Sequence, residues 1–323
     1  MNQSWQERIE AAASRIAPHV HRTPVVQWPD TNAWLKLENE QVTGSFKARG
    51  GGNKLLCLSA ADRARGVVTA SSGNHGAGVA HAAAALGCPL VVFVPTHADP
   101  AKVEKIRALG AQVTPHGDDC VETEAHARAW AAQSGMPYIS PYNDAEVVAG
   151  QGTIGVELLE QLPNLDAVFI SVGGGGLISG IGTYLKARKP DVEIVACSPA
   201  RSPAMHRCLE AGSIIDVPCA DTLSDATAGG VEPGAITFEL CRAVIDRCIL
   251  VEEEQIAHSM RQAHARLGIQ IEGAAGVALS AWAATASDYR DKTAAIIICG
   301  GNVDPETFHQ VLNNGEHSST GSG

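Results

Sequence analysis

Aromatic residues are scarce in this sequence, and so is positive charge. Phe, Trp and Tyr make up 4% of 323 residues, too few for the core of an aromatic-rich β-sandwich. The net charge is −11, and no run of Lys and Arg forms a basic stripe, which argues against a nucleic-acid surface. Nine cysteines are scattered at 57, 88, 120, 197, 208, 219, 241, 248 and 299. No two are spaced CxxC and the number is odd, so neither a disulfide framework nor a zinc site is expected. Reduced thiols in the cytoplasm fit better. There is no Gly-x-Ser-x-Gly elbow and no HExxH, and His81, His206 and His258 show no triad pattern. No apolar stretch reaches the ~20 residues of a membrane span. The segment Met1–Arg8 begins like an amphipathic helix and lacks an apolar signal core.

Glycine is abundant, with 33 residues, and apolar residues make up 45% against 18% charged. The length suits one large or two medium domains. Short β-branched runs alternate with Ala-rich helical stretches. Val67–Ala70 reads as a buried strand, 77–86 as a helix, Leu90–Val94 as a strand and 100–109 as a helix ending at Gly110. A second series has a helix closing at 158–162, a strand over 167–172, a helix over 177–188, a strand over 193–197 and another over 294–299. This alternation predicts an α/β fold with mostly parallel, doubly wound sheets in two lobes and a cleft between them. The stretch 198–234 reads as irregular connection, and the tail 315–323 as disordered.

Two glycine-rich junctions stand where a strand runs into a helix. Gly173, Gly174, Gly175 and Gly176 follow the 167–172 strand, where free N–H groups and the helix dipole favour a phosphate. A dinucleotide fingerprint is excluded because Ser179 stands at its third glycine position, and no Gly-Lys-Ser/Thr follows to make a Walker loop. Ser71-Ser72-Gly73-Asn74-His75-Gly76 offers N–H groups, hydroxyls and an amide suited to a carboxylate, or simply a helix cap. Lys47, between Phe46 and Ala48, would ordinarily be a solvated surface residue. Beside a phosphate site it could be desolvated and act as an amine nucleophile. Cys299, ending a strand before Gly300-Gly301-Asn302, is by itself a buried core thiol.

Taken together, Gly44-Ser45-Phe46-Lys47-Ala48-Arg49-Gly50, Ser71–Gly76, Gly173–Leu177 and Cys299-Gly300-Gly301-Asn302-Val303 resemble the motifs of fold-type II pyridoxal-phosphate enzymes (tryptophan synthase β-like). The likeness to the serine/threonine dehydratase and serine racemase branch runs from about Arg22 to about Asp304, with the motifs in family order. It implies a large cofactor domain from 1–48 and 146–323, a small mobile domain from 49–145, and a homodimer. It implies that Lys47 holds pyridoxal 5'-phosphate as a Schiff base and later removes the Cα proton. Phe46 would pack on the pyridine ring, Asn74 would bond its phenolic oxygen, and Gly173–Leu177 would cup the phosphate. Ser71, Ser72, Gly73, Asn74 and His75 would hold the substrate carboxylate. Cys299 would be a neutral partner of the pyridine nitrogen, a bias toward β-elimination. The implied reaction is loss of water from a β-hydroxy amino acid, with the cofactor phosphate or a nearby acid protonating the leaving hydroxyl, followed by hydrolysis to a 2-oxo acid and ammonia.

Several positions bear on the choice within the branch. Ser72 matches the serine of the racemases, which returns a proton from the face opposite the lysine, so an amino-acid racemase is the alternative. Ser198 and Ala204 replace the two carboxylates of metal-binding relatives, and no metal is expected there. Asp225 falls on the acidic position of the substrate loop at 222–232, which contains no Arg or Lys. That argues mildly against 3-hydroxyaspartate unless Arg49 or His206 supplies the cation, and leaves phenylserine open. Glu272 matches a residue near the cofactor or caps the next helix. The chain ends soon after the Cys299 strand, without the length of a regulatory domain, so feedback control by isoleucine is not expected.

Overall fold

The computed structural model describes residues 3–118 and 120–313; the tail reading at 315–323 lies outside them. In chain order the elements are α1 (Trp5–Ile16), β1 (Val25–Gln27), β2 (Ala33–Leu37), α2 (Lys47–Cys57), α3 (Ala60–Arg65), β3 (Val67–Ala70), α4 (Asn74–Leu86), β4 (Leu90–Val94), α5 (Pro100–Ala108), β5 (Gln112–Pro115), α6 (Cys120–Ser134) and α7 (Ala145–Gln161). They continue with β6 (Leu165–Ser171), α8 (Gly176–Arg188), β7 (Glu193–Pro199), α9 (Ala204–Ala211), α10 (Ile236–Val244), β8 (Arg247–Val251), α11 (Glu253–Leu267), α12 (Gly273–Thr285), β9 (Thr293–Ile298) and α13 (Pro305–Asn313).

Two sheets organise these elements. The larger has the order β1-β2-β9-β6-β7-β8, parallel except for the β1–β2 pair. Its central strands β6 and β9 are almost wholly apolar and buried, as strands covered on both faces must be. The smaller sheet, β3-β4-β5, is all parallel, with α6 against β3 and β4 and α4 on the same unit. The main apolar core fills the larger sheet and its helices, while separate clusters lie on either side of the smaller one. The C-terminal ends of β3, β6 and β9 lead into Ser71, Gly173 and Cys299, so both sheets present their loops to one cleft.

The α/β reading holds, with local differences. α4 starts at Asn74 rather than Ala77, which puts Asn74 and His75 in its first turn. α8 starts at Gly176. Apolar periodicity cannot see these starts, because the first turn is held by backbone geometry and no side-chain cap marks it. The stretch read as irregular contains α9, whose Ala204, Met205 and Cys208 are buried; two turns are too short for a clear helical period.

Beneath α2 lies a buried polar cluster. Arg49 bonds Glu38 at 2.8 Å and Glu157 at 2.6 Å, and Lys36 bonds Glu157 at 2.5 Å, Gln161 at 2.8 Å and the Thr23 carbonyl at 2.8 Å. Burial opposes the charge on Arg49, and Glu38 and Glu157 outweigh it, holding the guanidinium above its ordinary pKa. Arg49 therefore ties α2 to α7 and to the turn after β2, and it is not the substrate-binding cation considered from the sequence.

Candidate active site

Lys47 is the first residue of α2, and backbone bonds fix where that helix starts. Phe46 N–H donates to the Cys299 carbonyl (3.0 Å), and Gly301 N–H donates to the Gly44 carbonyl (2.9 Å). These bonds anchor the start of α2 on the end of β9. The Lys47 side chain opens onto a cavity of about 1060 Å³ between the two sheets' loops. Its Nζ donates to the Pro141 carbonyl (2.9 Å) and lies 5.1 Å from the centre of the Phe46 ring. Removal from bulk water pushes the amine down to about 8, against the pull of Cys299, Glu124 and Glu272. Such an amine is available as a nucleophile and base near neutral pH.

Two helix N-termini point into the same cavity. At the first, Gly175 caps α8 with a φ of +85° and no side-chain cap, so the first-turn N–H groups are left for a ligand. A Cβ on Gly174 would sit 2.5 Å from the Tyr142 ring, so no side chain fits there. Thr237 Oγ1 donates to the Gly174 carbonyl (2.6 Å) and steadies the turn. At the second, Gly73 precedes α4, again with no side-chain cap. Ser71 Oγ accepts from Gly73 N–H (3.2 Å) and does not cap the helix, which removes the simple capping alternative for this motif. His75 is buried, and its Nε2 meets the Ile139 carbonyl at 3.0 Å. Burial and the neighbouring Lys47 push it down to about 3, so it is neutral and donates through Nε2. The α4 terminus is therefore a second uncapped helix N-terminus in the cavity, beside that of α8.

A third wall carries Cys299, Glu272, Asn74 and Asn302. Asn74 Nδ2 donates to both Glu272 oxygens (3.1 and 2.9 Å), and Asn74 Oδ1 accepts from Asn302 Nδ2 (2.8 Å). Glu272 precedes α12, but its side chain caps nothing; it faces the cavity. Burial pushes its carboxyl up to about 7, against the Asn74 bonds. Cys299 Sγ accepts from Ser171 Oγ at 3.5 Å and lies 3.9 Å from Glu272 Oε1; burial pushes the thiol up, so it stays neutral.

The rim holds Asp225, singled out in the sequence, and several groups that were not. Asp225 stands in a short 3₁₀ turn (Asp225–Thr227) with its side chain 67% exposed, 3.2 Å from Lys102 of α5. Arg128 of α6 bonds Glu232 at 2.5 Å and lies 4.4 Å over the Tyr138 ring. Tyr142 Oη accepts from Glu232 N–H (3.0 Å). Glu124, one turn before Arg128 on the same face of α6, also lines the cavity. So the wall around the substrate loop is charged after all, and its Lys102 and Arg128 are already paired. His206 is not among the lining residues; it pairs with Glu210 at 3.3 Å. Spacing on α6 was the available signal for Glu124 and Arg128, but nothing local showed which face met the cleft.

A desolvated amine that shares a cavity with two helix N-termini lacking side-chain caps is a specific arrangement. The family model described as "Pyridoxal-phosphate dependent enzyme" matches residues 16–300. The chain belongs to that family. It is 38% identical to the L-threonine ammonia-lyase of Thermotoga maritima over 315 residues, covering 96% of this chain and 78% of that protein. Among solved structures it resembles the processed threonine deaminase isoform 2 of Solanum lycopersicum (TM-score 0.90, 31% identity, 96% of this chain and 92% of that one). It also resembles maize serine racemase (TM-score 0.88, 31% identity, 98% and 99%).

The residues present fit a pyridoxal-phosphate enzyme's cofactor. The glycine turn at 173–176 excludes side chains and leaves N–H groups for a phosphate, Lys47 supplies a depressed amine, and Phe46 gives an apolar wall. No described helix is long and apolar enough to cross a membrane.

Proposed function

We propose that this protein is an ammonia-lyase that removes water from a β-hydroxy amino acid of the L-threonine or L-serine type and yields a 2-oxo acid and ammonia. The observation that carries the reading is the Lys47 amine, lowered to about 8 and sharing one cavity with two uncapped helix N-termini. Pyridoxal phosphate, when bound, supplies the electron sink for the pair left at Cα. The α4 N-terminus with Ser71, Ser72, Gly73, Asn74 and His75 orients the substrate by its carboxylate, and Gly173–Leu177 anchor the phosphate. Lys47 takes the Cα proton. The neutral Cys299 thiol leaves the sink weak enough to favour immediate loss of the β-group over a long-lived carbanion. The names of the relatives point to the same reaction.

On this reading the small domain, 49–145, closes on 1–48 and 146–323. The rim pairs Lys102–Asp225 and Arg128–Glu232 join the two sides and support it. The protein works in the cytoplasm, a reading favoured by nine cysteines of which no two are spaced CxxC. A homodimer rests on the family resemblance alone, and light scattering tests it against twice the 33.6 kDa chain mass.

Replacing Lys47 by Ala is the deciding experiment. The absorbance of lysine-bound cofactor and the release of 2-oxo acid should both vanish, and survival of either sinks the assignment. One observation keeps a racemase as the second reading: Ser72 lines the cavity in a chain that resembles a serine racemase structure. Chiral analysis of L-serine incubations decides it, since no accumulation of D-serine removes that activity.

A further inference from the structure

We infer that Glu124 is the acid that protonates the β-hydroxyl as it leaves, an inference that rests on the elimination reading above. Hydroxide is a poor leaving group at neutral pH, so a positioned acid must deliver a proton as the C–O bond breaks. Cys299, Glu124 and Glu272, each able to carry an acidic proton, line the same cavity as Lys47. Cys299 and Glu272 share one wall, at the end of β9. Cys299 is a buried thiol at hydrogen-bond distance from Ser171, and both Glu272 oxygens accept from Asn74. Glu124 comes from the other side, on α6. Among the described residues its carboxyl makes no hydrogen bond or ion pair, while its helical neighbour Arg128 is held by Glu232 and the Tyr138 ring. The remaining cavity-lining carboxylates are committed, Asp225 to Lys102, Glu232 to Arg128, Asp99 to the Ala101 N–H and Asp304 to the Thr307 N–H. His75 is pinned to the Ile139 carbonyl. Burial raises the Glu124 carboxyl above its ordinary range, so it keeps its proton to higher pH than an exposed glutamate.

The step balances without an oxidant. The Cα–H bond breaks and its proton passes to Lys47. The Cβ–O bond breaks with its electron pair on oxygen, which takes the Glu124 proton and departs as water, while a Cα–Cβ double bond forms. Lys47 ends as an ammonium and Glu124 as a carboxylate, opposite charges in one cavity, and Glu124 regains a proton when product leaves.

The test is Glu124→Gln in the holoenzyme, assayed on L-serine and on β-chloro-L-alanine, whose chloride leaves without a proton. With L-serine, kcat should fall about 10²- to 10³-fold. Chloride elimination should stay within about threefold of the parent, on the same scale. Exchange of the Cα proton of L-serine with D₂O, followed by NMR, should continue, because it needs Lys47 alone. Equal losses on the two substrates would assign Glu124 a structural role, and unchanged turnover of L-serine would pass the acid role to another group; either result overturns the inference. If the amide variant takes up no cofactor, the same substrate ratio is measured on Glu124→Asp, where a loss confined to L-serine supports the inference and an unchanged ratio overturns it. Failure of the elimination reading looks different, because the parent itself would then release no 2-oxo acid from L-serine, whatever Glu124 does.

Discussion

Two neighbouring regions of this molecule remove charge from water, and they treat it in opposite ways. In the cluster under α2, Lys36 and Arg49 are matched by Glu38 and Glu157, with Thr23 and Gln161 taking remaining hydrogen bonds. In the cleft, Lys47 has one carbonyl for a partner, Glu272 has an amide instead of a cation, and Glu124 has no bonded partner among the described residues. Lys47 and Arg49 are only two positions apart. One is held permanently charged and the other is let down toward neutrality, which shows that completeness of pairing separates scaffold from chemistry here.

The largest expected effect breaks the cleft side. Lys47→Ala should cut turnover on the order of 10⁴-fold or more, yet leave the folded apo-protein no less stable. The sign follows from linkage. The folded pKa of about 8 lies below the ordinary lysine value, so the unfolded chain binds more protons between them and parental stability should rise with pH through that window. Urea midpoints of the apo-protein should show that rise in the parent and not in the variant.

Breaking the other side should damage the fold. Arg49→Met leaves Glu38 buried without its ion-pair partner and Glu157 with Lys36 alone, and a loss of about 3–5 kcal/mol in unfolding free energy is expected from denaturant titration. A loss below about 1 kcal/mol, the scale of an exposed pair, would remove the contrast.

A subtler test concerns Glu272. Its folded pKa of about 7 lies above the ordinary carboxyl value, so the folded state binds the extra proton and apo-protein stability should fall as pH rises from about 4.5 to about 7. In Glu272→Gln this contribution should be gone, as read from urea midpoints across that range. The smallest effect belongs to the exposed rim pair. Lys102→Ala should cost less than about 1 kcal/mol in the same titration, because solvent screens Lys102 and Asp225.

Much of the scaffold was legible locally. Val67–Ala70, the 90–94 strand and the apolar run at 294–298 announce parallel strands by composition, and the glycine-rich junctions at 71–76 and 173–176 mark turns from strand to helix. The helix at 204–211 was missed because two turns in a proline-rich stretch leave little periodicity. Arg49 was open to a wrong role because Glu38 and Glu157 stand 11 and 108 residues away, beyond any local pattern. Glu272 was equally open, and only its distance to Asn74, 198 residues upstream, showed that it faces the cavity.

The sequence by itself determined the alternation of strands and helices, the two glycine junctions able to receive anions, and the presence of a lysine in a family motif. These depend on backbone period, glycine's small size and residue identity, all of which are local. Tertiary structure alone decided which charges are matched. Folding carries Glu157 to Arg49, Asn74 to Glu272 and α6 to the mouth of the cleft, and a pKa responds to burial and partners rather than to position in the chain. That is why Lys47 and Arg49, two residues apart, are set to different work.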